Sequence, residues 1–207
     1  MTHNGVIARA LLVALDEWVR NGTLPPDSRV PQIAGGTLAT PDQGSTGFPN
    51  IPGVNYNGLI NGSGDRDFGP RVSGNSGVID KLIPEVLSVH QVLVPRVDAV
   101  GNDLGGVRQP VVEVPIATLT GWNLRRAEFT EGDLCDLNGM TVPLFRTAEE
   151  RLAAGDPRPS LEELYGDHDG YVLQIAEAAL NLFAQRLMLL EDVLLTIKEA
   201  DDSDVLK

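Results

Sequence analysis

A chain of 207 residues with 42% apolar content is long enough to bury one substantial core. Sixteen basic against 29 acidic residues leave a net charge of −13, which repels nucleic acid and anionic membrane surfaces, and a single cysteine excludes an intrachain disulfide framework. No run approaches the roughly 18 uninterrupted apolar residues of a membrane span, and Val6-Ile7-Ala8-Arg9 sets a charge inside the stretch an export signal would need. The expectation is a protein with no nucleic-acid partner, no membrane partner and a cytoplasmic location, unless upstream sequence of a longer protein alters it.

Along the chain, Ile7, Leu11, Ala14, Leu15, Trp18 and Val19 recur at three- and four-residue spacing, which predicts an amphipathic helix over Val6–Arg20. Asn21-Gly22 stops it and Pro25-Pro26 prevents its resumption. Residues 22–80 then hold twelve of the 22 glycines and seven of the 14 prolines, a density that suits neither helix nor regular sheet. Val30, Ile33, Phe48, Ile51, Tyr56 and Phe68 give that segment apolar side chains a plain linker has no use for, so it reads as an ordered loop packed on something.

Gln91–Val97 and Gln109–Ile116 are rich in β-branched residues and flank a turn-forming stretch beginning at Asp98, which predicts a β-hairpin. Pro95, Pro110 and Pro115 each remove a ladder donor, so these strands are expected at an edge or interrupted. The last third reads as helical. Thr147–Glu150 and Ser160–Glu163 have capping-box spacing, with helices to about Ala154 and Tyr165. A longer helix should start between Asp167 and Asp169 and carry Val172, Ile175, Ala176, Ala179, Leu180, Phe183, Leu187 and Leu190 on one face. A further turn or two is expected around Val193–Ile197. The fold class is α/β, read as one partial domain over 1–207: a helix to 21, a long loop over 22–80, the hairpin and its continuation over 81–126, and a mostly helical remainder.

Few residues carry recognisable catalytic chemistry. A serine nucleophile of the α/β type sits on a tight strand-turn-helix elbow between small residues. None of the eight serines is so placed; the nearest, in Gly74-Asn75-Ser76-Gly77, has Val78 at the second small position. His3, His90 and His168 are scattered, with no zinc-ligand spacing. His90, just ahead of the first hairpin strand, is the one weak catalytic candidate as an acid/base group. Acidic neighbours discourage a thiolate at Cys135. Asp98, Asn102 and Asp103 surround Gly101 in a manner superficially like a calcium loop, but Val100 stands where an acid would be needed and Asx-turn formation accounts for the same residues. No metal and no cofactor are expected. Trp122, Asn123, Arg125 and Arg126 suit stacking on and bonding to a ligand, and serve equally well to pin an interface. The pocket or interface candidates are therefore Asp98, Asn102, Asp103, Trp122, Asn123 and Arg125.

Several blocks also carry a resemblance: Leu12–Pro31, Phe48–Val54 (FPNIPGV), Asp67–Pro70 (DFGP), Leu93–Arg108 (LVPRVDAVGNDLGGVR), Val114–Arg126 (VPIATLTGWNLRR) and Gly132–Tyr165, with its GDPRPSLEE run. Together they resemble the C-terminal third of a bacterial family of alpha/beta hydrolase domain proteins. The resemblance implies an α/β-hydrolase fold whose serine nucleophile and histidine lie upstream of these residues; no position here matches those motifs. Family members often place an acid where this chain has Val100. Two functions remain in contention. One is the C-terminal section of an esterase-like hydrolase of small-molecule esters, contributing pocket wall and structural closure beside a complementing hydrolase segment. The other is a non-catalytic binding or assembly module that docks on a partner subunit, including a second copy in a homo-oligomer.

Overall fold

Helix α1 (Gly5–Asn21) opens the computed structural model, which describes residues 5–74, 76–135 and 138–207. Its register differs from the one its large apolar residues suggest. Ala10 and Ala14 are the buried pair, while Leu11, Leu15, Trp18 and Val19 stay exposed. Val6 and Ile7 pack on the cluster of Ala179, Leu182, Leu187, Met188 and Val193. Arg9 pairs with the buried Asp192, and Glu17 with Arg186.

The long loop is ordered and contains short regular pieces. Strand β1 (Leu38–Ala39) is followed by a single helical turn, α2 (Gln43–Thr46), capped by Asp42, whose side chain accepts from the Ser45 amide at 2.8 Å. Strand β2 (Gly64–Asp67) precedes another turn, α3 (Pro70–Ser73). Beyond them lie β3 (Glu85–Val89) and β4 (Val94–Pro95). The antiparallel pairings are β1 with β4 and, through a bulge between Asp65 and Arg66, β2 with β3. Phe48 and Ile51 of the loop are buried, whereas Val30 and Ile33, expected to pack as well, are exposed.

The hairpin expected between Gln91–Val97 and Gln109–Ile116 does not form. Pro110 instead starts a helical turn, α4 (Pro110–Glu113), because a proline at the first helical position gives up no hydrogen bond. The neighbouring strand is β5 (Ala117–Thr120), paired in antiparallel register with β6 (Met140–Pro143), Thr118 opposite Val142.

The helical third follows its local signals. In α5 (Ala148–Ala154) and α6 (Leu161–Tyr165) both capping boxes are complete, with Thr147 and Ser160 as caps. Hydrogen bonds from Arg151 and from the Ser160 amide hold the Glu163 carboxyl down at about 2. Helix α7 (His168–Ala184) is capped by Asp167, and α8 (Leu190–Asp201) is longer than the turn or two expected. The buried stripe of α7 is Tyr171, Ile175, Ala179 and Leu182; Leu180 and Phe183, expected on the inner face, are half exposed. Tyr165, Tyr171, Ile175, Ala200 and Val114 form the second cluster, and the Tyr165 hydroxyl donates to the Pro115 carbonyl at 2.7 Å. The described residues thus join helices to three small two-stranded antiparallel sheets in an α/β fold.

Candidate functional site

A buried polar hub fixes one wall of the molecule. Arg158, on the α5–α6 connection, is 2% exposed and forks onto Asp156, which is 4% exposed, with a closest contact of 2.6 Å. It also donates to the Thr118 hydroxyl at 2.7 Å, the Val142 carbonyl at 2.9 Å and the Pro143 carbonyl at 3.1 Å. Burial pushes the Asp156 carboxyl up, but the Arg158 hydrogen bonds and charge outweigh it and hold the group below its ordinary value. The Thr118 hydroxyl donates a hydrogen bond to the Val100 carbonyl, which ties the hub to the turn after β4.

That turn is built by side chains. One Asp98 oxygen accepts from the Val100 and Asn102 amides at 2.9 and 3.0 Å, and the other takes Arg108 at 2.7 Å. Gly101, with φ at 94°, sits where a Cβ would come within 2.9 Å of Thr118. Asn102, 1% exposed, donates to the Ala117 carbonyl at 3.1 Å and accepts from the Leu119 amide at 2.7 Å, stitching the turn to β5.

In front of this wall lies a cavity of about 250 Å³, slightly under the ~300–1,000 Å³ of drug-sized pockets. Its aromatic side is Phe48 stacked on Tyr56 at 5.0 Å, with Trp122 at 5.6 Å from Phe48 and edge-on to Tyr56 at 5.5 Å. The Tyr56 hydroxyl is anchored on the Pro41 carbonyl at 2.7 Å. Leu59, Val94, Gly101, Leu119, Thr120 and Leu134 complete much of the apolar lining, and Asp103 is the one charged residue among those that line it. Burial pushes the Asp103 carboxyl up, against the pull of Arg108 and with the push of Asp98.

Of the six pocket or interface candidates, Asp103 and Trp122 line the cavity, and Asp98 and Asn102 hold its wall from behind. Asn123 and Arg125 do not line it. The Asn123 side chain accepts from the next amide, at Leu124, and exposed Arg125 donates to the Leu134 carbonyl. Phe48 and Tyr56 are the lining residues not singled out from sequence; their apolar character in a Gly/Pro-rich loop was the available clue.

His90 lies elsewhere, on the exposed β2–β3 sheet, 3.4 Å from the Ser63 hydroxyl through Nδ1 and 3.6 Å from Asp65 through Nε2. The residue types are those of a triad, but the spacings are long, Asp65 already accepts from Ser88 at 2.6 Å, and more than half of each His90 and Asp65 side chain is exposed. Ser76 spends its hydroxyl on the Arg71 carbonyl. His168 faces the Val205 and Asp201 carbonyls and ties α7 to the C-terminal residues. His3, Asn75 and Asp136 lie outside the described residues. Among the described residues no three His, Cys, Asp or Glu side chains are grouped to share a metal ion, and no helix is long and apolar enough to cross a membrane.

Fold and site define an α/β chain with an aromatic-walled cavity. The chain belongs to the alpha/beta hydrolase domain family, whose family model matches residues 2–198. Neither curated proteins nor solved structures match it.

Proposed function

We propose that this chain is the C-terminal section of an esterase-like hydrolase and supplies the wall of its substrate pocket rather than the nucleophile. One observation carries the reading. Four of the blocks that bear the family resemblance, Phe48–Val54, Leu93–Arg108, Val114–Arg126 and the one beginning at Gly132, each send residues to the same cavity. Segments so separated in sequence converge on one mostly apolar concavity with few polar groups, which suits the body of a small ester.

The test uses the purified chain carrying Trp18→Phe, so that Trp122 is the sole tryptophan. Phenyl butyrate should change Trp122 fluorescence saturably and be recovered intact, and a fluorophosphonate should leave no adduct on any serine, Ser63 included. Turnover with a labelled serine would sink the wall-only role. Absence of saturable binding would sink the pocket.

A second reading is favoured by α1, whose Leu12, Leu15, Trp18 and Val19 remain exposed. An apolar row of this kind suits an assembly module docking on a second subunit. Light scattering at increasing concentration separates the two: self-association lost in a Leu12→Lys, Val19→Lys variant supports assembly, and a monodisperse monomer throughout counts against it.

A further inference from the structure

Arg108 is the basic group closest in sequence to the cavity's acid, and its donors are already committed. Nε goes to Glu113 at 2.5 Å, and Nη2 to Asp98 at 2.7 Å and the Val112 carbonyl at 3.0 Å, while Nη1 takes the Asp103 carbonyl. One guanidinium therefore serves two other carboxylates and reaches Asp103 only through its main chain and its field. The Asp103 carboxylate itself has no hydrogen bond and no ion pair among the described residues.

Neither of the ordinary structural roles of an aspartate applies to it. Asp98 caps the turn and Asn102 stitches it to β5, so Asp103 has neither task. It lines the cavity while staying open to solvent. A carboxylate that lines a cavity and that no protein cation neutralises is open to a cationic group of a ligand. No Lys, Arg or His lines the cavity, and its remaining surface is aromatic, aliphatic or neutral.

We propose that this cavity selects a ligand bearing an ammonium group on a small apolar body, with Asp103 as counter-charge and the Phe48–Tyr56–Trp122 wall as the seat for the body. The proposal rests on reading the cavity as a ligand site and adds the class of ligand. Aromatic faces are attracted to cations through their ring quadrupoles, and the carboxylate adds a Coulomb attraction that solvent weakens at its exposed position. Both effects discriminate against an anion of the same shape. Under the esterase reading, the substrates are esters with a cationic alcohol or acyl part.

The experiment again uses the full chain with Trp18→Phe and reads Trp122 fluorescence. The probes are benzyltrimethylammonium, its neutral carbon isostere neopentylbenzene, and the anion phenylacetate. The cation should bind on the order of tenfold more tightly than the isostere, with phenylacetate weakest. Asp103→Asn should cut the preference for the cation several-fold without weakening the isostere, the aromatic wall keeping the remainder, and Asp103→Glu should restore it. Circular dichroism establishes that each variant is folded, and Asp103→Ser takes the place of the amide if that one is not. Equal binding of cation and isostere by the parent chain, or a preference undiminished in Asp103→Asn, overturns the proposal and leaves the pocket standing. Binding of none of the three probes overturns both.

Discussion

Replacing Arg158 by methionine lowers the stability of the chain by about 3–5 kcal/mol, the range measured when one partner of a buried ion pair is removed. The substitution keeps much of the side-chain volume, so the loss is electrostatic. Asp156 is left 4% exposed with no cation on it, and the Val142 and Pro143 carbonyls each lose a donor. For a chain of this length, at ~2–4 °C per kcal/mol, the melting temperature falls by on the order of 10 °C. Arg158→Lys recovers little, because an ammonium cannot reproduce the fork onto Asp156 while also reaching Thr118.

The sign of the pH dependence follows from the Asp156 carboxyl, which lies below its ordinary 3.8 in the folded chain. Its contribution is complete above the unfolded value and is lost as the pH falls through the folded one. In Arg158→Met the unpaired Asp156 is raised instead, so that variant gains stability in acid. The gap between parent and variant is therefore widest at neutral pH and closes below pH ~4. Urea titrations at both pH values measure it, and a gap that stays constant would show that the loss is one of packing.

Asn102→Ala costs on the order of 2–4 kcal/mol, the penalty of leaving two main-chain groups without partners. Those groups are the Ala117 carbonyl and the Leu119 amide, both on β5. Asn102→Asp is equally damaging although its shape is unchanged, since a carboxylate at a 1% exposed position turns an acceptor toward the Ala117 carbonyl. Because Leu119 and Thr120 line the cavity, both variants should also weaken phenyl butyrate binding, in parallel with their loss of stability. An aspartate variant as stable as the parent would remove Asn102 from its role as the stitch between turn and strand.

What was legible in the sequence is what is decided within a few residues. Thr147 with Glu150, and Ser160 with Glu163, settle two helix starts because hydroxyl and carboxylate meet the free amides of the same turn. Asp167 does the same for α7. Strand pairing was not legible, because it joins distant segments: Leu38 faces Pro95, and Ala117 faces Pro143. The β-branched run after Gln109 was read as strand, yet Pro110 at a helix start outweighed that propensity. On α1 the expected stripe is only half right: Ile7 and Ala14 face inward with Ala10, while Leu11, Leu15, Trp18 and Val19 are exposed and Arg9 and Glu17 supply the anchoring pairs. At the site, Asp103 and Trp122 were identifiable by chemistry. Phe48 and Tyr56 were not, because nothing local joins an aromatic in the long loop to Trp122.

The β2–β3 sheet behaves differently from the wall it adjoins. Every residue of β3 is exposed, and Leu82 and Ile83 before it are 95% and 90% exposed. Opening this sheet uncovers almost no new apolar surface, so its closed form is held by a few main-chain bonds and surface ion pairs. It separates first under native conditions, and a protease reaches the chain there before it reaches α7 or α8. Tyr56 on one side and β4 on the other are fastened independently, through Pro41 and β1. A cut between them leaves two fragments that stay together, with the cavity still formed at their junction.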